Sequence, residues 1–416
     1  MSVAASQEGP FECFVSGHML AEIGTKIITA EPRILILGTR GVPAAHGGFE
    51  TLAENLALFL VARGWKVGVY CQEEVPVVRQ RVRSEDWRGI ERICIQVSSR
   101  GPLATLEFDW HCIRDAATRD GVCLVLGYNG AAFLPYLRIK GRKIMTNMDG
   151  IEWRRPKWSL PIKAWFWMNE WIAAWTSHRL IADHPAIAVH LATRGVQHKT
   201  VTITYGGSPV YSAPEEHIYA LGLVADRYFV SVARIEPDNS ILEIVEAFSR
   251  KRRYAKLVVL GTLDDRISYH RRVRAAASEE VIFPGAIYDA NIVQALRFHA
   301  RAYVHGHRVG GTNPSLVEAL WAGNAAIAYD NAYNRWTAAE AGIFFTDTNS
   351  CARRMEEVLT DDDLVIGCRH VARSRARLLF RWPDILLAYE REALSLSALS
   401  PETIDFRPKA TAKNPW

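Results

Sequence analysis

The chain has 416 residues, 49% of them hydrophobic, and 50 Lys and Arg against 45 Asp and Glu give a formal net charge of +5. This length exceeds what a single hydrophobic core ordinarily holds and predicts about two domains. The slight positive charge, with no basic cluster interleaved with aromatic residues, argues against a nucleic-acid-binding protein and is compatible with contact to an anionic membrane.

The seven cysteines have no C-x-x-C spacing and fall mostly in apolar strand or helix patterns. This usage is typical of reduced core thiols in a cytoplasmic protein and argues against disulfides or a zinc site. No apolar run reaches the roughly 18 to 20 residues that a transmembrane helix requires. Residues 1–30 lack the charged start and the apolar core of a signal peptide, so we expect an N-terminal extension.

The first predicted unit of the chain is a β-α-β unit. An apolar strand at residues 33–37 is followed by a glycine-rich loop, an amphipathic helix from Phe49 to about Arg63 and a strand at 66–70. Gly64 ends the helix. This order of elements predicts a Rossmann-like domain at the start of the chain.

The loop at residues 38–48, GTRGVPAAHGG, distinguishes this unit from a dinucleotide-binding one. The dinucleotide fingerprint G-x-G-x-x-G places three glycines within six residues, whereas the four glycines here span eleven residues. The longer loop instead allows Gly47 and Gly48 to bring bare backbone against a ligand between two domains.

Asp149 lies just beyond the carboxyl end of a predicted strand at 143–146, where open α/β sheets bind their ligands. Glu152, Arg154 and Arg155 follow in the same loop and are weaker candidates for the same site. An aspartate that only caps a turn would also fit the position of Asp149.

The stretch from Trp158 to Trp175 is unusually aromatic and has lysines and arginines nearby. Its large rings are Trp158, Trp165, Phe166, Trp167, Trp171 and Trp175. Tryptophans beside cations are typical of a helix at the lipid headgroup layer, where we expect Trp165, Trp167 and Trp171 to insert. Packing of these rings in a core is the alternative.

A second α/β unit starts with a strand at residues 228–233, which ends at Arg234. A permanently charged guanidinium at the carboxyl end of a strand suits a diphosphate, although a surface salt bridge would also explain it. Asn239 follows in the next loop, and Gly261 follows the strand at 256–260, near where a nucleobase would lie.

A further ligand-binding loop lies within residues 305–330, HGHRVGGTNPSLVEALWAGNAAIAYD. It contains Gly311, Thr312 and Asn313, and a helix is predicted to begin at Ser315. Unpaired amides and the helix dipole favour phosphate there, and Glu318, one turn inside, can accept hydrogen bonds from two hydroxyls. Phosphate and a diol together indicate a nucleotide sugar. A structural helix cap with an incidental glutamate is the alternative.

This stretch resembles the nucleotide-binding loop of retaining GT-B glycosyltransferases, whose motif has two glutamates separated by seven residues. Glu318 matches the second glutamate, which binds the ribose in that family, and Gly310 replaces the first, which usually faces the donor sugar. VGGTNPS and the amino-terminal GTRGVPAAHGGFETLAENLA are similar to a subgroup of bacterial exopolysaccharide and capsule transferases that includes rhamnosyltransferases. His46 stands where that subgroup commonly has tyrosine.

The resemblance implies an α/β fold of the GT-B type, in which two Rossmann-like domains face each other across a cleft and a C-terminal helix returns to the first domain. The expected segments are an N-terminal extension (1–30), an acceptor-side domain (31–210), a nucleotide-sugar-binding domain (211–380), a return helix (381–400) and a tail (401–416).

The resemblance also implies roles for the candidate residues. Asp149 and Arg234 are the expected catalytic residues. The expected acceptor-side residues are His46, Asp149, Glu152 and Arg154. The expected donor-binding residues are Gly47, Gly48, Arg234, Asn239, Gly261, Gly311, Thr312, Asn313, Ser315 and Glu318.

The implied reaction is transfer of a hexose, with retention of configuration, from a nucleotide sugar to a polyprenyl-diphosphate-linked saccharide at the cytoplasmic face of the inner membrane. No metal or other cofactor and no nucleic acid is expected to take part. The subgroup makes dTDP-L-rhamnose the leading donor, followed by UDP- and GDP-sugars. A catalytically degenerate nucleotide-sugar-binding subunit is one alternative, because the first glutamate is missing. An epimerase or phosphorylase of the same architecture is another.

Overall fold

The computed structural model describes residues 31–45 and 47–397 of the chain. The expected N-terminal extension, His46, the last residues of the expected return helix and the tail lie outside this part. The described residues form two α/β domains, each built on its own sheet. The six cysteines in this part are buried and free.

The first domain alternates strands and helices. Its elements are β1 (Arg33–Leu37), α1 (Gly48–Ala62), β2 (Lys66–Glu74), β3 (Val82–Trp87), β4 (Ile90–Val97), α2 (Pro102–Ala116), β5 (Val122–Leu126), α3 (Leu134–Ile139), β6 (Lys143–Asn147), α4 (Leu160–Thr176), β7 (Arg179–Ala182), α5 (Pro185–Ala192) and β8 (Thr200–Thr202). The strand order in the sheet is β3-β4-β2-β1-β5-β6-β7-β8. The β3–β4 pair is antiparallel, and the other pairs of this sheet are parallel.

The core of this domain follows from the uninterrupted apolar sequence of β1. Side chains alternate between the two faces of a strand, so Ile34 and Ile36 pack in one hydrophobic layer and Leu35 and Leu37 in the other. The first layer contains the buried face of α1, and the second contains α2. Both faces of the sheet are therefore covered by helices, as parallel sheets require.

The second domain has a six-stranded sheet. Its elements are α6 (Glu216–Tyr219), β9 (Tyr228–Val232), α7 (Ile241–Ser249), β10 (Lys256–Leu260), α8 (Ser268–Ala275), β11 (Val281–Gly285), α9 (Ala290–Phe298), β12 (Ala302–His305), α10 (Pro314–Trp321), β13 (Ala326–Tyr329), α11 (Ala332–Ala338), β14 (Gly342–Phe345), α12 (Thr348–Thr360) and α13 (Asp362–Leu379). The strand order is β11-β10-β9-β12-β13-β14, with parallel pairs.

The last described helix, α14 (Trp382–Leu396), packs on the first domain. Its buried Glu390 accepts hydrogen bonds from Trp65 Nε1 at 3.0 Å and from Arg63 Nε at 2.8 Å. Asn147 at the end of β6 donates to the Tyr389 hydroxyl at 2.7 Å. The returning C-terminal helix predicted from the sequence is therefore present.

The predicted helix starts differ from the structure by one or two residues. Helix α10 begins at Pro314, because the Asn313 side chain caps it by accepting from Ser315 N at 3.0 Å. Helix α4 begins at Leu160 and not at Trp158, and it has a proline in its first turn. In the part of the chain that is described, no helix is long and apolar enough to span a membrane.

The tryptophans of α4 divide between the interior and the surface. Trp165 is half-buried and donates to Asn129 O at 3.3 Å, and Trp171 is half-buried with the Arg194 guanidinium 4.6 Å from its ring centroid. Trp167 and Trp175 are 47% and 66% exposed. Of the three rings expected to insert into a membrane, only Trp167 is thus exposed. Trp175, which was not among the three, is exposed instead of Trp165 and Trp171.

Candidate active site

The carboxyl ends of the two sheets face each other, and a cleft of about 880 Å³ lies between the domains. The first domain contributes the loop with Gly47 and Gly48. The second domain contributes Ser315 and Glu318 of α10, together with Tyr288 after β11. Four of the donor-binding residues predicted from widely separated parts of the sequence therefore line one cavity.

Helix α10 presents its N-terminus to this cleft. Pro314 has no N–H, and the amides of Ser315, Leu316 and Val317 all donate to Asn313, so the helix presents the positive end of its dipole to the cavity. The Ser315 hydroxyl is already engaged, since it donates to Val232 O at 3.0 Å and accepts from Tyr303 OH at 2.8 Å. This hydroxyl holds α10 against β9, so a ligand at this end of the helix would meet the positive end of the dipole.

Glu318 lies one turn inside α10, with its carboxylate at the cleft. Arg297 Nη1 of α9 is 2.6 Å from one of its oxygens, Oε2, and Arg297 itself is buried. The guanidinium fixes the orientation of the carboxylate, which stays half-exposed. Arg297 was not singled out from the sequence, because an arginine on an otherwise amphipathic helix is normally a surface residue.

The two loop glycines differ in what they contact. A Cβ atom on Gly48 would lie 2.7 Å from Pro314 Cγ, so glycine allows this loop to reach the start of α10. A Cβ on Gly47 would meet no atom within 4 Å. The backbone at Gly47 is therefore open to a ligand held at the helix N-terminus.

Asp149 lies after β6 with a φ of +48°, a left-handed conformation that is unfavourable for a non-glycine residue. Its amide donates to Asn147 Oδ1 at 2.9 Å, which stabilises this turn. Burial, and next the negative charge of Glu152, raises the pKa of Asp149 to about 6, while Arg155 and Arg234 act in the opposite direction. A carboxyl that titrates near neutrality is thus held at the carboxyl edge of the sheet.

Arg234 is 72% exposed at the end of β9. Its nearest acidic partner is Glu236, at 3.4 Å, and that carboxylate also binds Lys157 of the first domain at 2.9 Å. Arg155 of the first domain is likewise 3.7 Å from Asp238. The loop after β9 is therefore held to the Asp149 loop by ion pairs, which leaves the Arg234 guanidinium largely available.

The glycines of the loop before α10 pack directly on the first domain. A Cβ on Gly150 would lie 3.0 Å from Gly310 Cα, and a Cβ on Gly311 would overlap the Asp183 carboxylate. Thr312 Oγ1 donates to Asp183 O at 2.5 Å. Burial raises the pKa of Asp183 well above its ordinary range, followed in effect by the charge of Asp149. Gly311 and Thr312 thus contact the first domain in this structure.

Two other predicted residues have structural contacts instead of facing the cleft. Asn239 is buried and donates to Arg234 O at 2.8 Å. Gly261 packs so closely on Ala233 O that a Cβ would overlap it. Both residues therefore support the backbone that carries Arg234.

The acceptor-side candidates other than Asp149 are also engaged with neighbours. Glu152 is 2.6 Å from Arg155, and the exposed Arg154 guanidinium lies 5.2 Å from the Trp153 ring centroid. The predicted role of His46 stays a prediction, because this residue lies outside the described part of the chain.

A stacked histidine pair lies beside this site and was not anticipated from the sequence. The ring centroids of His305 and His307 are 4.3 Å apart, and the two rings are nearly parallel. Burial, and next the charge of Arg155, lowers the pKa of His307 to about 3, and burial lowers the pKa of His305 well below its usual value. Both imidazoles are neutral at physiological pH and can accept or donate one hydrogen bond at each nitrogen.

Comparison with known proteins gives a separate result for each domain. Residues 32–208 match the model of a domain of unknown function (DUF1972), and residues 216–377 match the model described as glycosyl transferases group 1. A search of curated proteins found no match.

Solved structures resemble the chain over both domains. A sucrose-phosphate synthase from Thermosynechococcus elongatus is 19% identical, with a TM-score of 0.72 over 87% of this chain and 98% of that one. A UDP-forming α,α-trehalose-phosphate synthase from Burkholderia xenovorans, in complex with glucose-6-phosphate, is 12% identical, with a TM-score of 0.67 over 88% and 100%. A protein from Anabaena in complex with UDP is 13% identical, with a TM-score of 0.65 over 88% and 100%. The GT-B fold predicted from the sequence is confirmed.

Proposed function

We propose that this chain, whose second domain matches the glycosyl transferases group 1 model, is a glycosyltransferase that takes a hexosyl group from a nucleotide sugar. The observation that carries the proposal is the arrangement across the cleft. Glu318, oriented by Arg297, lies one turn from a helix N-terminus, and the open backbone of Gly47 faces the same cavity. A ribose diol at the carboxylate and a diphosphate at the positive end of the α10 dipole fit this arrangement.

In the proposed reaction the bond between the anomeric carbon and the diphosphate oxygen breaks. A bond forms from that carbon to the acceptor hydroxyl oxygen, and the hydroxyl proton passes to the departing phosphate. We propose that this occurs on one face of the sugar, with retention of configuration. Arg234, together with the positive end of the α10 dipole, stabilises the negative charge that develops on the diphosphate, so that no metal is required.

Asp149 is proposed to face the acceptor from the first domain. Its loop is linked by ion pairs to the loop that carries Arg234. The raised pKa of Asp149 makes it able to exchange a proton near neutral pH. The two proposed catalytic residues thus come from opposite sides of the cleft.

The proposed donor follows from two sources. The amino-terminal sequence GTRGVPAAHGGFETLAENLA favours dTDP-L-rhamnose through the transferase subgroup it resembles. Two of the structural neighbours are a UDP-forming synthase and a protein in complex with UDP, which supports a UDP-sugar as the other candidate. Both nucleotides present the diphosphate and ribose that the cleft is proposed to bind.

The proposed acceptor is a saccharide on a polyprenyl diphosphate, and the surface of α4 supports this. The outward face of the helix carries Leu160, Ala164, Trp167, Met168 and Trp175, which lie at helical spacing. Leu160 is 81% exposed, and Trp167, Met168 and Trp175 are also exposed. An exposed apolar stripe of this kind is typical of a helix that lies in a membrane interface.

Cationic side chains lie at the carboxyl end of this stripe. Lys199 donates to Trp175 O at 3.3 Å, and Arg138 donates to Thr176 O at 3.2 Å. Burial first, and then the charges of Arg138, Lys143 and Lys199, lowers the pKa of His178 to about 4. Apolar rings beside clustered cations match the acyl chains and phosphates of an anionic bilayer. We therefore propose peripheral association with the cytoplasmic face of the inner membrane.

The test is a panel of dTDP-, UDP- and GDP-sugars added to purified protein, with the melting temperature measured for each. We expect one nucleotide class to raise the melting temperature and Glu318→Gln to reduce that shift. Transfer is then tested by measuring the nucleoside diphosphate that is released when lipid-linked saccharide extracted from membranes is added. Nucleotide binding without turnover would support a degenerate binding subunit, and the absence of any shift would contradict the proposal.

A further inference from the structure

A second, smaller cavity lies in the first domain, on the α2 side of its sheet. Its volume is about 260 Å³, and its walls come from the loop after β1, the loop after β5 and helix α2. We call it the switch-point pocket. The lining residues used below are Thr39, Arg40, Gln72, Thr105, Phe108, Asp109, Asn129 and Gly130.

The position of this pocket in the sheet is one that binds ligands in open α/β folds. β1 pairs with β2 on one side and with β5 on the other, so the chain order reverses at the β1–β5 boundary. Loops on either side of such a reversal diverge and leave a crevice at the carboxyl ends of the strands. The switch-point pocket is this crevice.

The polar group inside the pocket is the carboxyl of Asp109. Within residues 31–45 and 47–397 it has neither a hydrogen-bond nor an ion-pair partner, and burial alone raises its pKa to about 7. Its remaining accessible surface is of intermediate extent and belongs to the wall of the cavity. A carboxyl without a protein partner in a cavity wall is available to accept hydrogen bonds from the hydroxyl groups of a ligand.

Gly130 provides the space that this carboxyl occupies. A Cβ atom at Gly130 would overlap Asp109 Oδ2, although the φ of −99° at Gly130 is accessible to any residue. Glycine is therefore required here by the carboxyl and not by the backbone conformation. The loop after β5 therefore packs against the Asp109 carboxyl, which belongs to α2.

The chemistry of the pocket favours a small neutral ligand with several hydroxyl groups. The volume is just below the roughly 300 to 1,000 Å³ of pockets for drug-sized ligands, which suits one sugar ring. Phe108 offers an apolar wall, and Thr39, Gln72, Thr105 and Asn129 offer groups that donate and accept hydrogen bonds. Among the described lining residues only Asp109 and Arg40 carry ionisable charge besides the Cys112 thiol, so no strong selection for an ion is present.

The pocket is connected to the catalytic loop and to the cleft. Tyr128, in the loop after β5, donates to Gly150 O at 3.0 Å and accepts from Glu152 N at 2.8 Å, so that it holds the Asp149 turn. Arg40 and Gln72 also line an adjacent cavity, and Ala45 lines both that cavity and the interdomain cleft. The switch-point pocket and the donor site are thus each next to the same intervening cavity.

We propose that the switch-point pocket binds one sugar ring of the acceptor saccharide, with hydroxyl groups of that ring hydrogen-bonded to the Asp109 carboxyl. This inference rests on the proposed function, since it identifies the acceptor as a saccharide with a ring beyond the one that reacts. Asp109 is a binding residue in this proposal and takes no part in bond breaking.

The test uses methyl glycosides of common hexoses and 6-deoxyhexoses as probes, at millimolar concentration, with binding measured by ligand-observed saturation-transfer NMR. We compare the wild-type chain with Asp109→Leu and Asp109→Asn, which keep the size of the side chain. Asp120→Asn, an acid-to-amide change at the protein surface, is the matched control. We expect Asp109→Leu to weaken probe binding about tenfold or more. We also expect it to raise the melting temperature, because an unpartnered polar group is removed.

The two proposals fail in different ways. Nucleotide-induced thermal shifts, measured on the same variants, report the donor site, and we expect Asp109→Leu to leave them unchanged. If no methyl glycoside binds the wild-type chain, or if Asp109→Leu binds as the wild type does, the pocket assignment is wrong while the donor site stands. If Asp109→Leu unfolds, Asp109→Asn decides, since unchanged probe binding by this folded variant would overturn the assignment.

Discussion

At the scale of single residues, the cleft makes Glu318 the first side chain to test. Glu318→Gln replaces a charged acceptor with an amide and removes its ion pair with Arg297, so donor binding should weaken by about 1.5 to 3 kcal/mol. Isothermal titration of the nucleotide into the folded variant measures this change. Unchanged affinity would contradict the ribose-binding role of Glu318.

Arg234 is expected to act on the leaving group more than on the bound donor. Arg234→Ala should lower kcat more than it raises the KM of the donor, because the diphosphate gains charge as the glycosidic bond breaks. Arg234→Lys should restore part of the rate. Arg266→Ala, at an exposed arginine of the same domain, is the control. Turnover at the parental rate in Arg234→Ala would make this residue structural.

Substitution of Asp149 is expected to affect transfer without affecting donor binding. Asp149→Asn should slow transfer and leave nucleotide affinity unchanged. Burial raises the folded-state pKa to about 6, above the unfolded value of 3.8, so the folded state holds the proton more tightly. Stability contributed by this group is therefore present at acid pH and falls as pH rises through about 6.

The asparagine variant removes this titration. Its melting temperature should lie closest to that of the parent below pH 3.8, exceed it by a margin that grows as pH rises from there to about 6, and keep a constant margin above that. Differential scanning fluorimetry over a pH series measures the difference. Loss of nucleotide binding together with a lower melting temperature would instead identify Asp149 as a turn-capping residue.

The site residues that the sequence predicted are those beside a strand end or a helix start. Asp149, Arg234 and Glu318 follow that rule. Asp183 also comes directly after a strand, β7, but it was not predicted as a site residue. Arg297 and Asp109 could not be identified, because each belongs to a helix and becomes significant only through a neighbour from another element. The sequence predicted that Asn239 and Gly261 bind the donor. In the structure, both residues instead pack against the backbone that carries Arg234.

At the scale of elements, α4 carries the membrane prediction. Replacing Leu160, Trp167 and Trp175 with serine should abolish sedimentation with anionic liposomes, because it removes the apolar surface that would enter the interface. Transfer to a lipid-linked acceptor should slow, whereas transfer to a short soluble analogue should persist. Added salt should weaken parental binding only in part, since the contact combines apolar and charged groups.

Helix α13 supplies a matched control for this experiment. Ile366 and Leu378 are exposed apolar residues of the second domain, and serine at both positions should leave liposome binding unchanged. If the α4 variant sediments as the parent does, or if it unfolds, these side chains do not form a membrane contact.

Helices and strands could be predicted where their burial produces a clear pattern of apolar residues in the sequence. β1, β5 and β9 are short apolar runs buried on both faces, and the sequence alone indicates them. β3 was not predicted, because its sequence VRSEDW is polar and its residues are largely exposed at the sheet edge. Such a strand is defined by its pairing with β4, which one sequence cannot reveal.

At the scale of the whole molecule, one hydrophobic cluster joins the domains. It includes Leu52 and Leu56 of α1, Leu386 of α14 and Leu320 of α10. Glu390, buried at this junction, accepts from Trp65 of the first domain. The second half of the chain therefore contributes a helix to the core of the first half.

The polypeptide also passes between the domains twice, and the two passages lie against each other. Gly207 N donates to Phe380 O at 2.8 Å, and a Cβ on Gly206 would lie 2.5 Å from the Trp382 ring. Just after the first passage, Tyr211 is 73% exposed. Cleavage at a specific protease site inserted after Tyr211 should therefore yield two fragments that separate on a denaturing gel yet elute together in gel filtration. Separate elution would contradict this expectation.

Because α14 packs in the core of the first domain, an unbroken backbone near Tyr211 contributes little to holding the two domains together. Residues before and after Tyr211 should accordingly assemble when they are expressed as two polypeptides from separate reading frames. The protein is thus a candidate split enzyme, in which fragment complementation can be followed by nucleotide binding.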